Sequence, residues 1–260
     1  RRPMPRFRTG AAASQQDYDL GQAGAPRGRV AIWVDSFTDA FAGGQLVAMV
    51  NLLVSIGFEP KVISQDACCG LTWITTGQLD GARRQLRHAL DVLTPVAAEG
   101  IPIVGMEPSC LAVWRSDAPE LLPEDDRVPL VSASIRTLAE LLGSLEDWTP
   151  PALTGHTIVA QPHCHQASVV GWQADQQLLE RTGAKVVALG GCCGLAGNFG
   201  VERGHHEVSV KVAEHDLLPA IRAAGPEAII LADGFSCRKQ VADLDGSEAV
   251  SLAQLLVAHL

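Results

Sequence analysis

Two Cys-Cys-Gly triplets, Cys68-Cys69-Gly70 and Cys192-Cys193-Gly194, stand 124 positions apart in a chain of 260 residues. Each follows a short apolar run, Lys61-Val62-Ile63 in one case and Lys185-Val186-Val187-Ala188-Leu189 in the other. Each precedes a helical pattern and then a third apolar run. The third runs, Ile101–Val104 and Ala228–Leu231, lead to Cys110 and Cys237, which are 127 apart. The first runs, Val30–Val34 and Thr157–Ala160, align so that Asp35-Ser36-Phe37 falls opposite His163-Cys164-His165. This is an internal duplication in which the first half lacks a counterpart of Cys164. Short apolar strands alternating with helices specify parallel sheets with right-handed crossovers. The expected class is α/β: two similar βαβαβ lobes, with the cysteines at the carboxyl ends of strands, where open sheets bind ligands.

The expected boundaries are a flexible basic linker over 1–28, a first lobe over 29–150 and a second over 151–260. Residues 1–29 carry six Arg and two Asp, within a chain of net charge −9. The remainder is therefore strongly acidic, which argues against nucleic-acid binding. No apolar run is long enough to span a bilayer, and no secretory signal pattern is present. The compartment expected is the reducing cytoplasm, where clustered cysteines more often bind metal or do redox chemistry than form disulfides. Helices are expected around Leu46–Ile56 with Gly57 as the stop, and over Leu79–Ala97 with a Thr75/Gln78 capping box. Ser134 is expected to cap the helix carrying Ile135–Leu142. One helix is expected over His206–Ala223 and a closing one over Leu252–Ala258.

Cys164, Cys192, Cys193 and Cys237 come from three strand ends of one lobe. Parallel neighbours lie ~4.8 Å apart, so these loops converge. Four thiolates suit an iron–sulfur cluster or a tetrahedral zinc. Gly191 and Gly194 let the backbone approach a bulky ligand, and helix-start N–H groups favour its negative charge. Alternation along an extended segment would turn His163 and His165 away from Cys164, in a supporting role behind the ligands. Cys68, Cys69 and Cys110 offer three thiolates, with Asp35 or Ser36 near the missing position, and form a secondary set. The alternative for them is a decayed site that is now only packed. His205, His206 and His215 sit in a polar helical stretch and are expected to be solvated. The glycine-rich run 191–200 does not read as a dinucleotide loop.

The repeated doublets with their strand-end partners resemble the duplicated cysteine-rich (CCG) domain of heterodisulfide reductase and of glycolate oxidase iron–sulfur subunits. The strings Glu107-Pro108-Ser109-Cys110, His163-Cys164-His165-Gln166, Gly191–Gly200 and Asp233-Gly234-Phe235-Ser236-Cys237-Arg238 are similar to the C-terminal region of bacterial FAD-linked oxidase/iron–sulfur fusions. The resemblance covers residues 29–260 and implies electron transfer. The cofactor implied is an iron–sulfur cluster of the [4Fe–4S] kind, with FAD only on a partner. The partners implied are a flavin-containing dehydrogenase domain or subunit and a ferredoxin-like iron–sulfur domain, with peripheral membrane association through the electron acceptor. The substrate class implied is a 2-hydroxy acid or glycerol-3-phosphate, and the chain alone is expected to be inactive. The heterodisulfide reductase motif ends in C-x-x-C, whereas here Val113 and Gln240 stand at the final place. That departure favours one cluster, in the second half. Two alternatives stay open: a zinc-binding or metal-free docking module, and a thiol/disulfide redox site like that of heterodisulfide reductase.

Overall fold

A computed structural model describes residues 27–260, and the linker expectation for 1–26 lies outside them. The chain divides into two compact units, one ending at Glu146 and the other starting at Asp147. In the first, β1 (Arg29–Trp33) leads to α1 (Ser36–Phe41) and α2 (Gly43–Ser55), then β2 (Glu59–Ile63). α3 (Leu71–Thr75) and α4 (Leu79–Ala98) connect to β3 (Ile103–Gly105). α5 (Pro108–Arg115), α6 (Asp117–Leu121) and α7 (Arg127–Ser134) lead to β4 (Ile135–Arg136) and α8 (Leu138–Gly143). The second unit runs β5 (Thr157–Ala160), a π-type turn over Gln166–Val170, α9 (Gln173–Arg181) and β6 (Lys185–Ala188). α10 (His206–Ala213), α11 (Leu217–Ala224), β7 (Ile229–Leu231), α12 (Phe235–Leu244), β8 (Ala249–Val250) and α13 (Leu252–Val257) complete it.

Both sheets are parallel throughout and share one strand order, β2-β1-β3-β4 and β6-β5-β7-β8. The expected α/β duplication is therefore present, with a fourth short strand in each lobe beyond the three expected. Each order reverses direction beside its first strand, and the crevice beyond the carboxyl ends at that reversal is where such sheets take ligands.

Burial fixes the frame of each lobe. In the first, α4 presents Leu86, Leu90 and Leu93 inward with no exposed surface, the 3.6-residue spacing that an amphipathic helix on a sheet requires. Trp33 and Trp114 meet edge-to-face with ring centroids 6.2 Å apart. In the second, Val159, Leu195, Leu217 and Val241 pack with Cys193 and Cys237 in one apolar cluster.

Several local expectations are corrected. Thr75 ends α3, and Gln78 precedes α4 without a side-chain cap, so the Thr75/Gln78 box does not form. Ser134 ends α7 instead of capping the next helix. The cap is Thr137, in a reciprocal box with Glu140. Only Thr137 stands three residues before a glutamate, as that motif requires. The helix expected over His206–Ala223 is two, broken between Ala213 and Leu217.

Candidate metal centre

The two lobes build the same nest from different residues. After the first strand, a residue caps the next helix, and the residue after it begins that helix. Asp35 caps α1 by accepting from the Phe37 N–H at 2.9 Å and the Thr38 N–H at 3.0 Å. His163 does the equivalent with Nδ1, which accepts from the His165 N–H at 3.2 Å. Ser36 thus takes the place of Cys164. The correspondence extends to contacts: Cys68 hydrogen-bonds with the Ser36 hydroxyl, and Cys192 with Cys164.

The doublets themselves are turned alike. Gly70 and Gly194 both hold left-handed backbone, at φ 75° and 89°, which a residue with a Cβ adopts only under strain. That turn aims backbone N–H groups back at sulfur. Gly70 and Leu71 donate to Cys68 and Cys69, and Gly194 and Leu195 donate to Cys192 and Cys193. The carbonyl just before each doublet is pinned from the first strand's end. Trp33 Nε1 donates to Ala67 O at 3.0 Å, and Gln161 Nε2 to Gly191 O at 2.8 Å. The third-strand cysteines each occupy the third helical position, Cys110 behind Glu107 in α5 and Cys237 behind Gly234 in α12.

The differences are electrostatic. In the first lobe Asp35 and Glu107 are both buried. Burial, and then the Glu107 carboxylate beside it, raise Asp35 from 3.8 to about 6. Cys69 lies 3.0 Å from Cys110, sulfur to sulfur. Its hydrogen bond pulls Cys110 down, but burial and the charges of Asp35 and Glu107 push that thiol up to about 11. Cys68 and Cys69 are raised as well, each chiefly by donating to the next thiol along. All three therefore remain thiols at neutral pH.

In the second lobe Gly234 and His163 replace the two carboxylates. They fit each other: a Cβ on Gly234 would lie 2.3 Å from His163 Cδ2. Burial, followed by His165, lowers His163 from 6.5 to about 4, so the ring is neutral. Cys192 receives hydrogen bonds from Cys164, Cys193 and the Gly194 N–H, and these hold it far below the ordinary thiol range against its partial burial. Cys164 and Cys193 are raised in turn, each first by its bond to Cys192. Cys193 also bonds Cys237, so the four sulfurs form one connected group around a thiolate. The site residues predicted from sequence in this lobe are thus brought together.

The histidines are carried by a different backbone from the one expected. Cys164 and His165 already belong to a helical turn, so strand alternation does not apply, and the His163 and His165 rings meet edge-to-face at 5.4 Å. His163 stands behind Cys192 and buttresses the Cys237 loop, with Ser236 Oγ 3.5 Å from its Nε2. Gln240, at the place of the last cysteine of a C-x-x-C, is fully buried and donates to the Ser209 carbonyl at 3.2 Å. Val113, its counterpart, is fully buried in α5. Both positions serve packing.

The donor chemistry fits a thiolate-ligated metal group in the second lobe. Two buried polar atoms there, Gln161 Oε1 and His165 Nδ1, have no hydrogen-bond partner among the described residues. Among the described residues no three donors are spread around a single ion.

Asp35 gives a pH prediction for the first lobe. Its folded pKa is raised, so the unfolded chain loses this proton first and stability falls as pH rises from about 4 to 6. Asp35→Asn keeps the capping oxygen and removes the charge. The variant should melt higher than the parent at pH 8 and lose that advantage near pH 4, beneath the titration window.

A duplicated parallel α/β fold with thiols gathered at its strand ends defines a cysteine-rich domain of the kind the doublets resemble. Residues 172–242 match the model of the CCG family, described as a cysteine-rich domain. Over 216 residues the chain is 27% identical to D-2-hydroxyglutarate dehydrogenase of Escherichia coli (strain K12), covering 82% of this chain and 21% of that protein. It is 26% identical to one of the subunits of anaerobic glycerol-3-phosphate dehydrogenase from the same strain, covering 74% of this chain and 49% of that one. It is 23% identical to lactate utilization protein A of Bacillus subtilis (strain 168), covering 79% of this chain and 87% of that one. The chain thus spans about a fifth of the D-2-hydroxyglutarate dehydrogenases it matches. Among the described residues no helix is long and apolar enough to cross a membrane.

Proposed function

We propose that this chain is the iron–sulfur electron-transfer module of a flavin-dependent dehydrogenase system for a 2-hydroxy acid or glycerol-3-phosphate. The observation that carries the reading is the second-lobe quartet. Cys164, Cys192, Cys193 and Cys237 are one connected group, built around a thiolate and supplied with backbone N–H donors. They would hold the cluster, whose chemistry is to store and pass one electron. The chain's own residues set its surroundings. The N–H groups of Gly194, Leu195 and His165 favour negative charge on sulfur. Gln161 fixes the Gly191 carbonyl, and His163 fills the space that Gly234 leaves. FAD belongs to a partner module, and relatives named for hydroxyglutarate, glycerol-3-phosphate and lactate support the substrate class.

In the first lobe the same frame holds thiols beside buried carboxylates, which oppose the additional negative charge of a thiolate-bound cluster. Cys68, Cys69 and Cys110 are therefore the weaker set. Anaerobic purification with iron, sulfide and zinc analysis tests the reading. The expected result is a brown protein with broad absorbance near ~400 nm and about four irons and four sulfides per chain, as a single [4Fe–4S] centre requires. Stoichiometric zinc without sulfide would overturn the electron-transfer reading and leave a structural thiolate site.

A further inference from the structure

We infer that Gln161 is the positioning residue of the second-lobe centre: it ties together the three strand ends that carry the four sulfurs, and the grip of the lobe on a metal group depends on it. The inference rests on the reading of Cys164, Cys192, Cys193 and Cys237 as ligands of that group. Gln161 is the first residue beyond β5, the strand that lies between β6 and β7. Its main-chain N–H donates to Leu231 O at 2.8 Å and binds the end of β7. Its side-chain Nε2 donates to Gly191 O at 2.8 Å, on the loop that leaves β6, and to Pro162 O at 3.0 Å. Cys164 follows on the loop that Gln161 itself begins, Cys192 is the next residue after Gly191, and Cys237 lies beyond β7. One residue thus joins all three loops. Gly191 is closed in from another side as well, since a Cβ there would lie 2.4 Å from Asp216 Oδ2. The carbonyl ahead of Cys192 is therefore fixed, and with it the direction in which the doublet turns.

The cost of this arrangement separates it from plain packing. Two carbonyl acceptors take both amide hydrogens, so the side chain can stand only one way round. Its Oε1 is left buried without a hydrogen-bond partner, in a residue only 3% exposed. An unused buried acceptor destabilises a fold. The first lobe avoids that cost, because the indole of Trp33 brings a donor and no acceptor to the carbonyl of Ala67. By register Trp33, opposite Gly105, corresponds to Ala160, opposite Leu231. The second lobe therefore has a methyl where the first has an indole packed on Trp114, and the pin sits one residue further on, in a slimmer side chain. The lobe with four sulfurs fixes its doublet at a polar cost, and the lobe with three does so without one. A pin that served stability alone would need only the tryptophan's solution.

Without the amide, the Gly191 carbonyl can swing about Gly190 and Gly191, where the backbone is least restricted. Cys192 and Cys193 would then meet a metal group from a range of directions. Groups that orient ligands in this way typically contribute about 10–100-fold to metal affinity.

The test uses the full-length, cluster-loaded protein. Gln161→Met and Gln161→Leu remove both N–H donors without burying a charge, and Trp33→Phe removes the corresponding donor of the first lobe. The chelator concentration that strips half of the iron should fall about 10- to 100-fold in both Gln161 variants. The electron paramagnetic resonance signal of the reduced centre should broaden in both. Trp33→Phe should leave both readouts at the parent values. Melting of the metal-free proteins separates retention from stability, and the Gln161 variants should melt no lower than Trp33→Phe. Half-stripping within about twofold of the parent in both Gln161 variants would overturn the assignment. Metal-free melting that falls further in both than in Trp33→Phe would overturn it too, by making the residue structural, as would an equal loss of iron from Trp33→Phe. A parent protein without iron and sulfide on the Cys192 group would instead overturn the ligand reading on which the inference rests.

Discussion

Replacing Cys192 or Cys193 by serine should strip most of the bound iron, whereas Cys68→Ser should leave most of it in place. The reason lies in which sulfur receives the shared hydrogen bonds. In the second lobe that sulfur is Cys192, held as a thiolate by two neighbouring thiols and the Gly194 N–H. Metal capture there has to displace fewer protons, and thiolate is the ligating form. In the first lobe the receiving sulfur is Cys110, where burial and two carboxylates outweigh the bond from Cys69. Ser36 leaves that set one thiol short. Iron and sulfide assays on anaerobically purified variants, with the ~400 nm band as a second readout, decide the ranking. Equal losses from the two doublets would show that the lobes are equivalent ligand sets.

Gly194→Ala should cost about 2–5 kcal/mol, combining roughly 1–2 for a side chain in left-handed backbone with 1–3 for overpacking. The added Cβ would stand 2.3 Å from the Ser209 carbonyl oxygen, a backbone atom of α10 that cannot rotate away. That carbonyl also accepts from Gln240, so the shift would spread to the helix carrying Cys237. Gly70→Ala meets its nearest atom only at 3.3 Å and should lose little beyond the conformational part. Chemical denaturation of the two variants gives the comparison. A Gly70→Ala loss as large as that of Gly194→Ala would refute the clash argument.

The sheets are legible in the sequence because each strand is a short apolar run that ends on chemistry. The duplication follows from Cys68 and Cys192, and the placement of Asp35-Ser36 opposite His163-Cys164 holds to the residue. The segment from Pro108 to Ser134 is not legible: its three short helices are interrupted by prolines and turns and lack a sustained 3.6-residue period. The pins on the doublets are hidden too. Trp33 reaches Ala67 across 34 positions and Gln161 reaches Gly191 across 30, and two unlike side chains perform one task. In the sequence Glu107 and Gly234 are unrelated residues before strand-end cysteines. Only their shared place ahead of α5 and α12 shows one lobe carrying charge where the other accommodates an imidazole.

The strand order of the second lobe sets a chronology for assembly. β5 is made first yet lies inside the sheet, between β6 and β7. Cys164, Cys192 and Cys193 can approach one another once β6 pairs with β5, but Cys237 arrives only after β7 has docked on the opposite side. During synthesis the nest therefore passes through a three-thiol stage with one corner open, and an ion caught then would sit in an incomplete cage. A complete four-sulfur cage exists only once β7 has docked. On the proposed iron–sulfur reading, the rate at which a freshly refolded chain acquires iron would be a clock for the docking of its third strand.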